Sequence, residues 1–252
     1  MAERIPALKK QEVAPTRRGG KLLMIVVAIF VIALVVLFFR SSLSRISDIE
    51  VKGTIRLKPS EVEAALGVAE GDSFFAIGSQ TLERRVKALK AVDSVRVVKH
   101  FPGKLTVEVR EYPTVAVELD DQGNAFAVLA SGLNVPLAQG ESLPDRPVLT
   151  GWQANDPNRA KLCAELGQLE PSLIGDISQI APDPSTAYPD RIKLYTRSRF
   201  EIVTTVGLLP QKLEIIGEFV QNREPGRLVL LEADTYLPYS AQSEASKTQE
   251  SP

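Results

Sequence analysis

The sequence of 252 residues is poor in the side chains that carry most enzyme chemistry. It has one cysteine, Cys163, and one histidine, His100. A single thiol cannot close an internal disulfide, so any part folded outside the cytosol must be held by packing alone. One Cys and one His are too few soft ligands for a zinc site. A Ser-His-Asp triad would have to use His100, which precedes the turn signal Phe101-Pro102-Gly103 and has no orienting shell in view. There is no glycine-rich phosphate loop and no metal-ligand spacing, so no cofactor is expected. Asp120-Asp121, followed by Gln122-Gly123, reads as a hairpin turn rather than an acid pair. An excess of one charge is lacking too: 30 Lys and Arg stand against 31 Asp and Glu, a formal net charge of −1. Nucleic acid wants a basic face, and none is offered.

What is present is one long apolar run. Leu22 to Phe39 is eighteen residues without charge, hydroxyl, glycine or proline. At about 1.5 Å per residue such a helix is roughly 27 Å long, close to the thickness of bilayer hydrocarbon. A buried core helix of that length would carry a polar face. A cleaved signal peptide would have a shorter apolar region and a better cleavage site than Ser42-Leu43-Ser44. An uncleaved transmembrane anchor is therefore expected. Arg4, Lys9, Lys10, Arg17, Arg18 and Lys21 precede it against Glu3 and Glu12, so the positive-inside rule places the N-terminus in the cytosol and the C-terminus outside. Residues 1–21, broken by Pro6, Pro15 and Gly19-Gly20, read as a disordered basic tail whose cations suit anionic lipid headgroups.

After the anchor, residues 45–113 read as one compact unit. Ile49 and Val51 alternate with charged neighbours, as a half-buried strand does. Pro59 and Ser60-Glu61-Val62-Glu63 signal a helix start. A second helix follows from Ser79, with Leu82, Val86 and Leu89 in helical spacing. Val95 and Val97 open a strand that turns at Phe101-Pro102-Gly103, and Leu105, Val107 and Val109 return with polar residues between them. The order is strand, helix, helix, strand, strand, and two helices can cover one face of such a sheet.

Residues 114–236 read as a second, strand-rich unit. Its elements are a hairpin around Asp120–Gly123, a helix opened by Asp156-Pro157, and strands at Ile177–Ile180, Arg191–Tyr195 and Phe200–Thr205. A helix opened by Pro210 carries Leu209, Leu213, Ile216 and Val220 on one face, and a final strand spans Arg227–Glu232. Cys163 falls beside Leu162, Leu166 and Leu169 on an apolar helix face and reads as packing. Residues 237–252 read as a polar, disordered tail.

An N-in anchor followed by a β-α-α-β-β unit resembles the FtsQ/DivIB family of bacterial cell-division proteins. The resemblance rests on Ile49-Glu50-Val51-Lys52-Gly53, then Leu82, Val86, Leu89, Val95 and Val97. It continues through Phe101-Pro102, Leu105–Val109, Glu111, Pro113 and Ala116. Where the family often has a basic residue between acid and proline, this chain has Tyr112. The resemblance implies an α+β protein: a single N-terminal transmembrane helix, a POTRA-like domain, then a β-domain ending in an edge strand. It implies a non-enzymatic scaffold in the cell membrane, enriched at the division septum, that helps regulate septal peptidoglycan synthesis. The implied partners are the FtsB/DivIC-like and FtsL-like single-pass coiled-coil proteins, and through them the septal transpeptidase and glycosyltransferase.

Three other readings compete with it. A membrane-anchored Ser/Lys peptidase would place a Ser-Met-x-Pro motif after the anchor, whereas Ser41, Ser42 and Ser44 have no following Met. A POTRA component of protein translocation would carry tandem units, and an anchored sensor would carry a cytosolic signalling domain. The candidate partner-binding residues are Leu228, Val229, Leu230, Leu231 and Tyr236, with Tyr239 as a further aromatic anchor. A terminal strand exposes unpaired backbone groups to which another chain can add, and this strand is apolar on both faces. Phe101, Pro102 and Gly103 form a possible second contact.

Overall fold

A computed structural model describes residues 18–138 and 140–241. The expected basic tail lies outside it through residue 17, and the expected C-terminal tail lies outside it from residue 242. The apolar run forms one helix, α1 (Arg18–Arg40). Its segment Lys21–Arg40 is the one helix among the described residues long and apolar enough to cross a membrane. The side chains from Leu22 to Leu37 are all exposed, which a buried core helix would not allow.

The first sheet follows immediately. Its strands are β1 (Asp48–Lys52), β2 (Val92–His100) and β3 (Lys104–Glu111), in the order β1-β3-β2. β1 and β3 are parallel, so a crossover must join their two ends of the chain. Two helices supply it, α2 (Pro59–Leu66) and α3 (Ser79–Lys87). Leu105 and Val107 are fully buried and pack with Val62, Leu66, Leu82 and Val86 from those helices. Each such buried aliphatic side chain contributes about 1.5–3 kcal/mol. The start of α2 differs slightly from expectation. Lys58, not Ser60, is its N-cap, and the Lys58 N–H donates to the Glu61 carboxylate at 2.9 Å.

The second sheet has nine strands. In chain order they are β4 (Thr114–Leu119), β5 (Ala125–Leu129), β6 (Asn134–Pro136), β7 (Val148–Leu149), β8 (Ile177–Pro182), β9 (Arg191–Thr196), β10 (Glu201–Thr205), β11 (Gly226–Leu230) and β12 (Asp234–Pro238). Across the sheet they run β12-β11-β10-β9-β8-β7-β4-β5-β6. Helices α4 (Pro157–Leu166), α5 (Pro171–Ile174) and α6 (Leu209–Asn222) share one core with the sheet's inner residues, among them Ile180, Ile192, Leu194, Ile202, Leu228 and Leu230. Asp156 caps α4 by accepting the Asn158 N–H at 2.8 Å. Cys163 is buried in that core, and burial pushes its thiol up to about 11.

The two sheets meet where β3 hands over to β4. There the Glu111 carboxylate accepts the backbone N–H groups of Ile55 at 2.7 Å, Arg56 at 3.0 and 3.1 Å, and Leu57 at 3.0 Å. The Arg56 guanidinium then bonds Glu141, in the loop after β6, at 3.1 Å. One carboxylate thus orders the loop after β1, and that loop reaches the second sheet.

The end of the chain departs from the sequence reading. The strand expected at Arg227–Glu232 is β11, and it is not the last: β12 pairs with it antiparallel, with Leu228 opposite Tyr236 and Arg227 opposite Leu237. The second sheet does end in an edge strand, one strand later than expected. The expected disordered tail therefore starts too early, because Leu237 and Pro238 belong to β12. Pro238 has no N–H to give a ladder, which suits an edge position.

Candidate functional site

The C-terminal hairpin β11–β12 is built from alternation. On one face Leu228 and Leu230 are buried against the helices at 1 % and 0 % exposure. Opposite them in the hairpin, Tyr236 and Asp234 turn the same way. The Tyr236 ring lies 5.3 Å from that of Phe219 on α6, and its hydroxyl donates to the Glu224 carbonyl at 2.6 Å. Asp234 bonds the Lys212 ammonium, also on α6, at 2.8 and 2.9 Å. This face of the hairpin is fastened to the domain's own helix. Leu228, Leu230 and Tyr236 therefore hold the hairpin in place and do not lie on its open surface.

The opposite face is the accessible one. Here a cross-strand row runs from Tyr195 on β9 through Glu201 on β10 and Arg227 on β11 to Leu237 on β12. Tyr195 is 36 % exposed and Leu237 is 45 % exposed. Glu201 sits between two cations, with Lys193 at 3.4 Å and Arg227 at 3.6 Å. Val229, half-buried, occupies the next position on this face beside Thr235. Tyr239 follows the strand, held by its N–H to the Pro225 carbonyl at 3.2 Å. Burial raises its phenol above the ordinary range, and the Glu201 carboxylate adds to the rise. Leu231 lies in the hairpin turn, half-buried.

Beside this row the backbone is open. Among the described residues no strand pairs with the outer side of β12. The edge offers hydrogen-bonding groups, and Leu237, Thr235 and Tyr239 offer side chains next to them. An extended segment can add to such an edge, taking affinity from the ladder and specificity from the alternating side chains. Leu237 escaped the sequence reading. The signal was present in Thr235-Tyr236-Leu237-Pro238, a β-prone run after the polar turn Glu232-Ala233-Asp234, with proline where only an edge strand tolerates it.

The second expected contact lies on a different sheet. Phe101, Pro102 and Gly103 form the β2–β3 turn, with a cis bond between Phe101 and Pro102. Gly103 takes φ +83°, and a Cβ there would meet the Arg45 carbonyl oxygen at 2.3 Å. Phe101 is 60 % exposed, and its ring stacks 6.5 Å from Phe38 near the end of α1. The structure does not bring this turn and the β11–β12 hairpin together in one site.

Two of the residues weighed for catalysis, Ser44 and Asp120, have structural partners. The Ser44 hydroxyl is buried and donates to the carbonyls of Phe39 at 2.8 Å and Ser41 at 3.0 Å. The Asp120 carboxylate accepts the backbone N–H groups of Gln122 and Asn124 at 2.9 and 2.8 Å, as a turn residue does. Those bonds, with the Asn124 side chain foremost, hold Asp120 below the usual carboxylate range.

Comparison with known proteins agrees with this architecture. The profile of the POTRA domain, FtsQ-type, matches residues 44–112. The chain is 37 % identical over 235 residues to the cell division protein DivIB of Paenibacillus polymyxa, covering 93 % of this chain and 92 % of that protein. It is 29 % identical to the DivIB of Brevibacillus brevis, over 95 % of this chain and 92 % of the relative. It is 27 % identical to the DivIB of Bacillus anthracis, over 93 % and 88 %.

Proposed function

The chain belongs to the DivIB family of cell-division proteins, and from that premise we propose that it serves division as a scaffold and not as an enzyme. In this reading α1 anchors the protein as a single span, with the N-terminus in the cytosol and both sheets outside. Residues 45–113 and 114–238 act as two domains with separate tasks. The POTRA domain sets the distance and direction of the second domain from the membrane, and the second domain captures a partner at the septum. Capture of an FtsB/DivIC-like coiled-coil protein, with its FtsL-like companion, would bring the septal transpeptidase and glycosyltransferase under the same control.

The observation that carries this reading is the open outer side of β12, flanked by exposed Leu237 and Tyr239. The Ser44 hydroxyl, committed to two carbonyls, supports the scaffold over the Ser/Lys peptidase reading. The test is co-purification from membranes. A chain ended after Ala233 lacks β12 but retains β11 and both helical cores. It is expected to reach the membrane at normal abundance and to lose the coiled-coil partner. Undiminished capture by that truncated chain would put the binding site elsewhere.

A further inference from the structure

The junction between α1 and the first sheet has no free tether. The Ser41 N–H donates to the Phe38 carbonyl at 3.0 Å, and Ser44 bonds back to Phe39 and Ser41 from a buried position. The Ser44 carbonyl accepts the Phe74 N–H at 2.8 Å, the Arg45 guanidinium reaches the Gly71 carbonyl at 2.9 Å, and the Ser47 N–H reaches the Gly103 carbonyl at 2.8 Å. The chain passes from the apolar helix into the fold within about one helical turn.

That connection presses two loops against the end of the helix. Phe75 lies 6.0 Å from the rings of both Phe38 and Phe39, and Phe101 lies 6.5 Å from Phe38. Phe38 and Phe39 close the apolar run, so they sit at the edge of the hydrocarbon. Rings stacked upon them share that depth. Yet Phe75 is 48 % exposed and Phe101 60 % exposed, and Leu43 between helix and sheet is 48 % exposed. Phe74, next in sequence, is by contrast 5 % exposed inside the core. The loop backbone on either side of Phe75 is pinned: the Lys99 ammonium bonds the carbonyls of Phe74 and Ile77, the latter at 2.6 Å, and stands 4.8 Å over the Phe74 ring. Arg40 and Arg45 are exposed beside this patch. Aromatic rings and cations at the end of a span match the boundary between acyl chains and headgroups.

We propose that this end of the POTRA domain is a lipid-binding surface, with Phe75, Phe101 and Leu43 seated in the outer-leaflet interface of the bilayer. The occupant follows from continuity: the patch extends the surface of α1, whose own partner is lipid. The domain is then fixed to the membrane at several points, and its tilt is set by the bilayer as well as by the helix. This proposal rests on the membrane-anchored reading above.

The test uses the full chain in vesicles of phosphatidylglycerol and phosphatidylethanolamine containing a nitroxide-labelled lipid. Phe75→Cys, Phe101→Cys, Ile55→Cys and Val31→Cys are each labelled with an environment-sensitive fluorophore, while buried Cys163 stays unlabelled in the folded protein. Ile55, 85 % exposed, lies at the opposite end of the first sheet, beside Glu111, and Val31 lies within the span. Probes at 75 and 101 are expected to shift to the blue and to be quenched several-fold more strongly than the probe at 55. If the probe at 31 is quenched while those at 75 and 101 behave like that at 55, the anchor stands and the lipid-binding surface is refuted. If the probe at 31 is not quenched, the anchor reading fails and this proposal fails with it.

Discussion

At the scale of single residues, two buried groups carry consequences out of proportion to their visibility. Glu111 accepts three consecutive backbone N–H groups, from Ile55, Arg56 and Leu57. Removing a charged acceptor leaves those donors without it, and bonds to charged groups contribute about 1.5–3 kcal/mol each in net terms. Glu111→Ala is expected to destabilise the fold by about 3 kcal/mol, with Glu111→Gln intermediate because one oxygen still accepts. Urea unfolding of the detergent-solubilised protein measures this, and a shift below about 0.5 kcal/mol would remove Glu111 from its role at the junction. Cys163 makes a different prediction. Its thiol is raised from 9.0 to about 11 by burial, so the folded protein favours the protonated form. That contribution to stability is fully present below pH 9 and is lost as pH rises through about 11. The same burial makes the thiol inert: a thiol reagent at neutral pH is expected to react only after unfolding, and fast reaction of the native protein would contradict the packing described. The packing of Cys163 was legible in its helical spacing with Leu162 and Leu166, but the role of Glu111 was not. Glu111 is one acid in an alternating strand until the loop after β1 folds back on it.

At the scale of elements, the sequence was most legible where a period was long and clean. The apolar run of α1, the alternation of Leu105, Val107 and Val109, and the helical spacing of Leu209, Leu213 and Ile216 all correspond to elements with those residues on the expected side. Short elements left no such trace. β7 has two residues, β6 three and α5 four, too few for a period to register. The edge was misplaced for a nonlocal reason. Leu228-Val229-Leu230-Leu231 is a run of apolar residues, but β11 is an interior strand with β10 on one side and β12 on the other, and of the run only Leu228 and Leu230 are buried in the core. Composition alone cannot tell that from an exposed sticky edge. The hairpin also has a built-in sensitivity at Gly226, where a Cβ would meet the Leu237 carbonyl oxygen at 2.5 Å and Pro238 Cα at 2.8 Å. Gly226→Ala is therefore expected to push β12 from β11 at a cost of about 1–3 kcal/mol, and to reduce partner capture more than an equally destabilising change in the first sheet. Co-purification of the two variants at matched abundance checks this. Equal losses would mean that capture reports only on stability.

At the scale of the whole molecule, the chain divides its work along its length. One helix is long and apolar enough to cross a bilayer, a small sheet with two helices stands next to that helix, and a nine-stranded sheet ends in an open edge farthest along the chain. The fold uses polar groups as joints: Ser44 after α1, Glu111 between the sheets, and Tyr236 and Asp234 between the hairpin and α6. The central claim is that the outer edge of β12 receives the partner. It is tested most directly by placing a photo-crosslinking amino acid at Leu237, at Thr235 and at Leu119, all exposed in the second sheet, in cells carrying the division machinery. The account predicts crosslinks to a small single-pass coiled-coil protein from 237 and 235 and none from 119. Crosslinking to that protein from 119, with positions 235 and 237 silent, would contradict it.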